Sequence, residues 1–130
     1  MTEPRWIDKR ALLLLHDDDL AEHGGLPGVR DEGLLDSALA RPRNLLAYQS
    51  PTMAELAASY AFGVARNHPF ADGNKRAPFL CAGLFLGLNG ISFRPDKVEA
   101  TRVFLALAAG EVSEEELAAW IDRNSRKRER

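Results

Sequence analysis

A stretch of nine residues, HPFADGNKR at positions 68–76, brings together side chains of several chemical types. Histidine exchanges a proton readily near neutral pH, so His68 could take the proton of an attacking hydroxyl group. Asp72 is the one carboxylate of the stretch, and a carboxylate beside phosphate is a usual ligand of Mg²⁺. Lys75 and Arg76 offer a point charge and a planar fork that match phosphate oxygens. These residue types indicate phosphate chemistry, with His68 as base and Asp72 as metal ligand.

The stretch, called the motif loop below, lies between two segments with helical apolar spacing. We expect the second helix to begin at about Asn74, so that its free backbone N–H groups and positive dipole end point above Gly73. Such an end attracts phosphate, and glycine lets the backbone approach an anion closely. The pattern therefore predicts a polyphosphate cradle formed by Gly73, Asn74, Lys75 and Arg76. A polar interhelical turn is the simpler alternative, but a capping residue accounts for one polar side chain and not for five.

The surrounding sequence predicts an all-α fold, a single domain over residues 1–130 with about six helices. Apolar residues recur at helical spacing, and the breaks between segments carry helix start and stop residues. The expected helices span about 8–24, 31–40 before Pro42, 52–67, 74–89, 95–110 and from 113 onward. Pro78 falls in a first helical turn, where proline costs little. We expect residues 91–93 to be extended and the basic tail from about residue 123 to fray.

Composition narrows the classes of protein. The 17 basic and 19 acidic side chains give a net charge of −2, so no global field would draw the molecule to nucleic acid, and we expect no direct nucleic-acid binding. The single cysteine, Cys81, forms no internal disulfide, and the charged N-terminus does not resemble a secretory signal, which favours a cytoplasmic protein. The longest apolar run, residues 77–88, is shorter than the roughly 20 residues that span a bilayer, so no membrane segment is expected.

Three further features have ordinary explanations. His16 and His23 are seven residues apart without a third ligand, which favours surface side chains over a metal site. The run Asp17 to Asp19 lacks the spacing of a calcium loop and predicts a solvated helix face. Arg66 near the end of the third helix could assist in binding the nucleotide, although the helix dipole explains it equally well.

The motif loop resembles the signature of the Fic/Doc family, H-x-F-x-D/E-G-N followed by a short basic run, and is most similar to the Doc, or death-on-curing, branch. The resemblance continues upstream in HGGLPGVRDEGLLDSAL and downstream in FLGLNG and AAGEVSEEEL, so it covers most of the chain. It implies an all-α Fic-like domain in which His68 is the catalytic base and Asp72 binds Mg²⁺. It further implies that residues 73–76 hold the phosphates of ATP. In such folds, Tyr48 and Gln49 could belong to a flap that docks a target strand, or to a plain loop.

Two positions differ from the commoner Fic pattern. Adenylyl-transferring members usually have glycine where this chain has Lys75. They also have a second arginine three residues after the one that matches Arg76, where this chain has Phe79. The lysine fills space meant for a phosphate, and the missing arginine removes an anchor for the nucleotide in that orientation. Both differences are typical of the Doc branch, which is associated with transfer of the terminal phosphate of ATP.

The resemblance thus implies a Mg²⁺- and ATP-dependent protein kinase, the toxin of a type II toxin–antitoxin system. Its target would be a Ser/Thr hydroxyl of a protein such as a translation elongation factor. The family's self-inhibiting helix, [S/T]-x-x-x-E-[G/N], has no match in this chain, so we expect inhibition by a separate antitoxin, a small protein with a DNA-binding head and a disordered tail. Adenylyl transfer by the same residues, or a binding module without turnover, are the alternatives.

Overall fold

Six α-helices dominate residues 3–128, the part of the chain that the computed structural model describes. The helices are α1 (Lys9–His23), α2 (Glu32–Tyr48), α3 (Met53–Asn67), α4 (Ala77–Leu88), α5 (Lys97–Ala108) and α6 (Glu114–Arg123). The two short strands β1 (Ile91–Phe93) and β2 (Ser125–Lys127) form an antiparallel ribbon. The predicted all-α fold is confirmed. No helix within residues 3–128 is long and apolar enough to cross a bilayer.

Local capping signals set several helix ends where the sequence predicts them. The Asp8 carboxylate accepts a hydrogen bond from the backbone N–H of Arg10 and starts α1, which stops at Gly24. Complete capping boxes start α3 at Thr52 and α6 at Ser113. Each box satisfies two backbone N–H groups that the helix itself leaves free, which is why these boundaries can be read from sequence.

Proline is a less reliable guide to the helix boundaries. The expected interruption of the second helix at Pro42 is wrong, because α2 continues through it to Tyr48. Pro42 is buried, and Leu45 and Leu46 beyond it pack against the core, so burial of this last part of the helix offsets the missing hydrogen bond. Pro95 lies outside α5 rather than in its first turn, since Asp96 is the N-cap.

The expectation that the basic tail frays from about residue 123 is also wrong for the described residues. Residues 125–127 form β2 and pair with β1, and the backbone N–H of Arg128 donates to the carbonyl of Gly90 at 2.9 Å. These backbone hydrogen bonds order the segment although its side chains are charged. Residues 129–130, which belong to the same expectation, lie outside the described residues, as do residues 1–2.

Helix α3 occupies the centre of the core and packs against α2, α4 and α6. Ten of its fifteen residues are buried, so its end at Asn67 is fixed by the surrounding helices. The start of α4 is fixed in the same way, because Ala77 and Pro78 are buried. The motif loop therefore connects two rigid helix ends, and the fully buried ring of Phe70 anchors its middle in the core.

Candidate active site

His68 occupies an unusual backbone conformation at the C-terminal end of α3. Its φ of 45° and ψ of 56° lie in the left-handed region, and among residues 3–128 it is the one non-glycine residue with positive φ. This conformation costs an ordinary residue about 1–2 kcal/mol, and such strain is often found where a side chain must be aimed. The side chain of His68 is exposed. A predicted base therefore lies at the surface, at the start of the motif loop.

The guanidinium of Arg30 clamps the backbone around His68. Its Nε and one η nitrogen donate to the carbonyl oxygen of His68 at 3.0 and 2.6 Å, and the same η nitrogen donates to the carbonyl of Asn67 at 3.2 Å. These carbonyls stand at the end of α3, where backbone acceptors lack helical partners. Arg30 thus holds the strained conformation of His68 from outside the motif loop.

The segment 24–31, called the cover segment below, runs along the motif loop and binds it repeatedly. Val29 and Phe70 form an isolated antiparallel bridge, and the backbone N–H of Ala71 donates to the carbonyl of Gly28 at 3.0 Å. The backbone N–H of Leu26 donates to Oδ2 of Asp72 at 3.0 Å. Tyr48 is the last residue of α2 and Gln49 is its C-cap, and both line a cavity of about 540 Å³ with residues of α2, α3 and α6. A role of these two residues in a flap stays a prediction.

Helix α1 also supports the motif loop. The imidazole of His16 is buried, stacks on Phe70 with ring centroids 3.9 Å apart, and its Nε2 lies 2.9 Å from the carbonyl oxygen of Asp72, which only a protonated nitrogen can satisfy. Oδ2 of Asp19 accepts a hydrogen bond from Nε of Arg76 at 2.6 Å. The expectations that His16 is a surface side chain and that residues 17–19 form a solvated face are wrong at these two positions. His16 and Asp19 lie on the face of α1 that contacts the motif loop, because α1 packs against α4, the helix that follows this loop.

The side chain of Asn74 is committed to the loop itself. Its Oδ1 accepts from the backbone N–H of Phe70 at 3.0 Å, and its Nδ2 donates to the carbonyl of Phe70 at 2.9 Å. Both polar groups of this half-buried side chain are thereby satisfied. Asn74 can therefore contribute to a phosphate cradle through its backbone N–H, while its side chain fixes the shape of the loop.

Helix α4 begins at Ala77, three residues after the predicted start at Asn74, and residues 74–76 form a turn. In an α-helix that began at Asn74, the carbonyl of this residue would accept from the N–H of residue 78, but Pro78 has none. The carbonyl of Gly73 accepts from the N–H groups of Arg76 and Ala77 instead. The predicted helix start is corrected, and the cradle would be formed by the turn that leads into α4.

Three successive backbone N–H groups of this turn, those of Gly73, Asn74 and Lys75, donate to no acceptor within residues 3–128. Successive free N–H groups in such a turn form a concave anion site. The Lys75 side chain is exposed and makes no ion pair with another described residue. The arrangement offers N–H donors and an exposed positive charge to an anion such as phosphate.

Asp72, the predicted metal ligand, has a carboxylate oxygen available for a cation, whereas Arg66 contacts an aromatic ring outside the motif loop. Asp72 is exposed, and only its Oδ2 is engaged within residues 3–128, so Oδ1 could bind a cation. No cluster of three or more His, Cys, Asp or Glu side chains that could hold a metal occurs in this part of the chain. One carboxylate fits Mg²⁺, which usually shares its ligands with substrate phosphates and water. The guanidinium of Arg66 packs over the ring of Phe62, 5.5 Å from its centre. This contact does not involve the motif loop, so the expectation that Arg66 assists in binding the nucleotide stays a prediction.

Comparison with known proteins finds a family and two similar relatives. Residues 6–86, which include the cover segment and the motif loop, match the model of the Fic/DOC family. The chain belongs to the Fic/DOC family. It is 35% identical over 120 residues to "Protein kinase doc" of Escherichia phage P1, covering 92% of this chain and 94% of that protein. It is 43% identical over 77 residues to "Toxin Doc" of Mycolicibacterium smegmatis, covering 56% of this chain and 58% of that protein.

The region that matches the Fic/DOC family model spans the candidate site. The Fic/DOC match contains every residue predicted for the site, from Arg66 to Arg76. It also contains the supporting residues that sequence reasoning missed: His16, Asp19, Leu26 and Arg30. Their signal was faint. His16, Asp19, Leu20 and His23 form a stripe at helical spacing that mixes polar and apolar residues, and spacing alone does not say what such a stripe contacts.

Proposed function

We propose that this protein is a Doc-type toxin that transfers the terminal phosphate of ATP to a Ser or Thr hydroxyl of a protein target, in the presence of Mg²⁺. The observation that carries the proposal is the trio of backbone N–H groups at Gly73, Asn74 and Lys75, which lack acceptors within residues 3–128. They lie beside two cationic side chains, and the exposed imidazole of His68 is in the same loop. The similarity to proteins named as a kinase and as a toxin supports the transferase and toxin parts.

In this proposal the chain's own residues divide the work of phosphoryl transfer. The free N–H groups and Lys75 bind the phosphates, and the η nitrogens of Arg76 add donors to them. His68 accepts the proton of the target hydroxyl as its oxygen bonds to the terminal phosphorus, and the bond from that phosphorus to the bridging oxygen of ADP breaks. Oδ1 of Asp72 would hold Mg²⁺, which when bound neutralises phosphate charge.

The identity and packing of residue 79, a phenylalanine, favour transfer of the terminal phosphate over adenylyl transfer. The resemblance places an arginine at this position in adenylyl-transferring members. Here the ring of Phe79 packs against Phe93 and Phe104, with centroids 5.8 and 5.3 Å away. Position 79 therefore supplies no cation, and the aromatic cluster leaves it directed toward the core. Adenylyl transfer by the same loop is the second candidate, because it would use the same base and the same N–H groups.

The biological setting is proposed from the relatives. A Doc-type toxin is expected to have a cognate antitoxin, with a DNA-binding head and a disordered tail, and to act in the cytoplasm on a target such as an elongation factor. A small upstream gene for such an antitoxin would support this setting, and a genome without one would weigh against it.

Labelled ATP tests the reaction. The purified protein is incubated with cell extract and with ATP labelled at the α- or the γ-phosphate. We expect protein labelling from γ-labelled ATP only, and a loss by orders of magnitude in His68→Ala. His68→Ala should remain folded because this side chain is exposed, and a thermal melt checks this. Label from the α-position only would establish adenylyl transfer instead. Unchanged toxicity and partner binding in His68→Ala, with no transfer by either protein, would indicate a binding module.

A further inference from the structure

One stripe of α1 lies against the motif loop and contacts it at several points. His16 binds the carbonyl of Asp72 and stacks on Phe70. A Cβ atom placed on Gly73 would come within 3.2 Å of Leu20, one turn further along α1. Between these two contacts lies Asp19, whose partner is Arg76. Helix α1 thus holds the loop by an aromatic stack, a hydrogen bond and an ion pair.

The carboxylate of Asp19 is nearly buried. Only 10% of its side chain is exposed, and a buried carboxylate is costly unless it is paired. Its Oδ2 lies 2.6 Å from Nε of Arg76, and its Oδ1 lies 3.2 Å from Nδ1 of His23. A carboxylate in this environment strongly constrains the guanidinium that pairs with it.

The way in which Arg76 is held leaves its fork free. Asp19 engages Nε, whereas the two η nitrogens of Arg76 bind no acceptor within residues 3–128. The side chain of Arg76 is 42% exposed, so the η nitrogens can be reached from solvent. If the carboxylate competed with phosphate for Arg76, we would expect it to bind the two η nitrogens, which can make two parallel hydrogen bonds to one oxyanion. Contact at Nε alone instead fixes the plane of the guanidinium while four N–H donors stay available.

We propose that Asp19 is a positioning residue that orients Arg76 for a nucleotide phosphate. The inference rests on the proposed function, since it takes ATP as the ligand of the motif loop. Asp19 does not touch the nucleotide. It lowers the conformational freedom that Arg76 would lose on binding, so phosphate meets a fork that is already oriented. Arg76 of the motif loop is thus oriented by Asp19, a residue 57 positions earlier in the chain.

A double-mutant cycle tests the proposal. The variants are Asp19→Ala, Arg76→Ala and the double variant, with Asp18→Ala as the matched control, because Asp18 is exposed on the same helix. The measurement is the dissociation constant for Mg²⁺-ATP by calorimetry, together with γ-phosphate transfer. We expect Asp19→Ala to weaken ATP binding about tenfold in the wild-type background, within the range for contacting residues. In the Arg76→Ala background the same change should have no effect.

A second variant keeps the test decisive if Asp19→Ala does not fold. Asp19→Asn retains an oxygen that can accept from Nε of Arg76, so it should bind ATP more tightly than Asp19→Ala and more weakly than wild type. Its effect should also vanish in the Arg76→Ala background. Tighter or unchanged ATP binding in the Asp19 variants, or an equal loss in both Arg76 backgrounds, would overturn the positioning role. If Arg76→Ala and His68→Ala both keep wild-type transfer, the proposed function itself is wrong, which is a separate result.

Discussion

Replacement of Arg30 by alanine removes the hydrogen bonds that clamp the backbone of His68, while every residue of the motif loop stays unchanged. Arg30 donates three hydrogen bonds to the carbonyls of Asn67 and His68. His68 has the strained φ of 45° that these bonds help to maintain. Without them the backbone at His68 can relax, and the imidazole would spend less time in the orientation that the folded loop gives it.

The size of the effect follows from these contacts. A hydrogen bond from a charged donor contributes about 1.5–3 kcal/mol when it is sheltered. Arg30 is exposed, so solvent screening reduces the joint contribution to about 1–2 kcal/mol. One to two kcal/mol corresponds to a factor of about 5 to 30 in a population ratio. We therefore expect kcat for phosphate transfer to fall by about 5- to 30-fold.

The assay is the initial rate of γ-phosphate transfer as a function of ATP concentration. We expect the KM for ATP to change by less than about twofold, because Arg30 contacts the backbone of the base and not the free N–H groups. Arg30→Lys keeps a positive charge but loses the planar fork, so it should recover only part of the rate. Arg10→Ala is the control, since Arg10 is exposed on α1 and its ion pair with Asp8 is long, at 3.9 Å.

The reasoning about the clamp would be refuted by wild-type kcat in Arg30→Ala. It would also be refuted if Arg10→Ala lost as much activity, because the effect would then come from charge and not from contact with His68. A rise in KM with unchanged kcat would place Arg30 at the nucleotide instead.

The remaining predictions concern the loop and the core. Asn74→Ala removes both hydrogen bonds that its side chain makes across the loop and should lower the free energy of unfolding by about 1–3 kcal/mol in urea titrations, with loss of transfer. Gly73→Ala should abolish ATP binding in calorimetry, because φ is +77° and the new Cβ would lie 2.8 Å from Nε2 of His16. Gly83→Ala, with open space around it in α4, should raise the thermal midpoint through a gain of about 0.5–1 kcal/mol. Burial raises the pKa of the Cys81 thiol to about 12 from 9.0; the unfolded thiol loses its proton first, so stability falls as pH rises above 9.0. Cys81→Ala should lose less stability than wild type as the pH rises from 9.0 towards about 12 in the same titrations.

Local signals made much of the fold predictable. A capping box lies within four consecutive residues, so Thr52 with Glu55 and Ser113 with Glu116 could be recognised without any knowledge of tertiary contacts. The motif loop was found in the same way, because its chemistry is concentrated in nine positions. Such features depend on residues that are close together in sequence, so they can be recognised without knowledge of the tertiary structure.

Features that depend on distant contacts were missed. The sequence around Pro42 reads as a helix end, and only the burial of the proline explains why α2 continues. Asp19 reads as part of an acidic surface run, yet its partner Arg76 is 57 residues away. Arg30 lies in the connection between α1 and α2, and its partners Asn67 and His68 are 37 and 38 residues away at the end of α3. Spacing predicts which residues share a helix face, but tertiary packing decides what that face contacts.

The central claim is that the free N–H groups at residues 73–75 bind the phosphates of ATP. An NMR titration of ¹⁵N-labelled protein with Mg²⁺-ATP observes these groups individually. The account predicts that the amide signals of Gly73, Asn74 and Lys75 shift most, and that the shifts disappear in Gly73→Ala. Saturable shifts elsewhere, for example at Tyr48 and Gln49 in the cavity between α2, α3 and α6, with unmoved signals at residues 73–75, would contradict it.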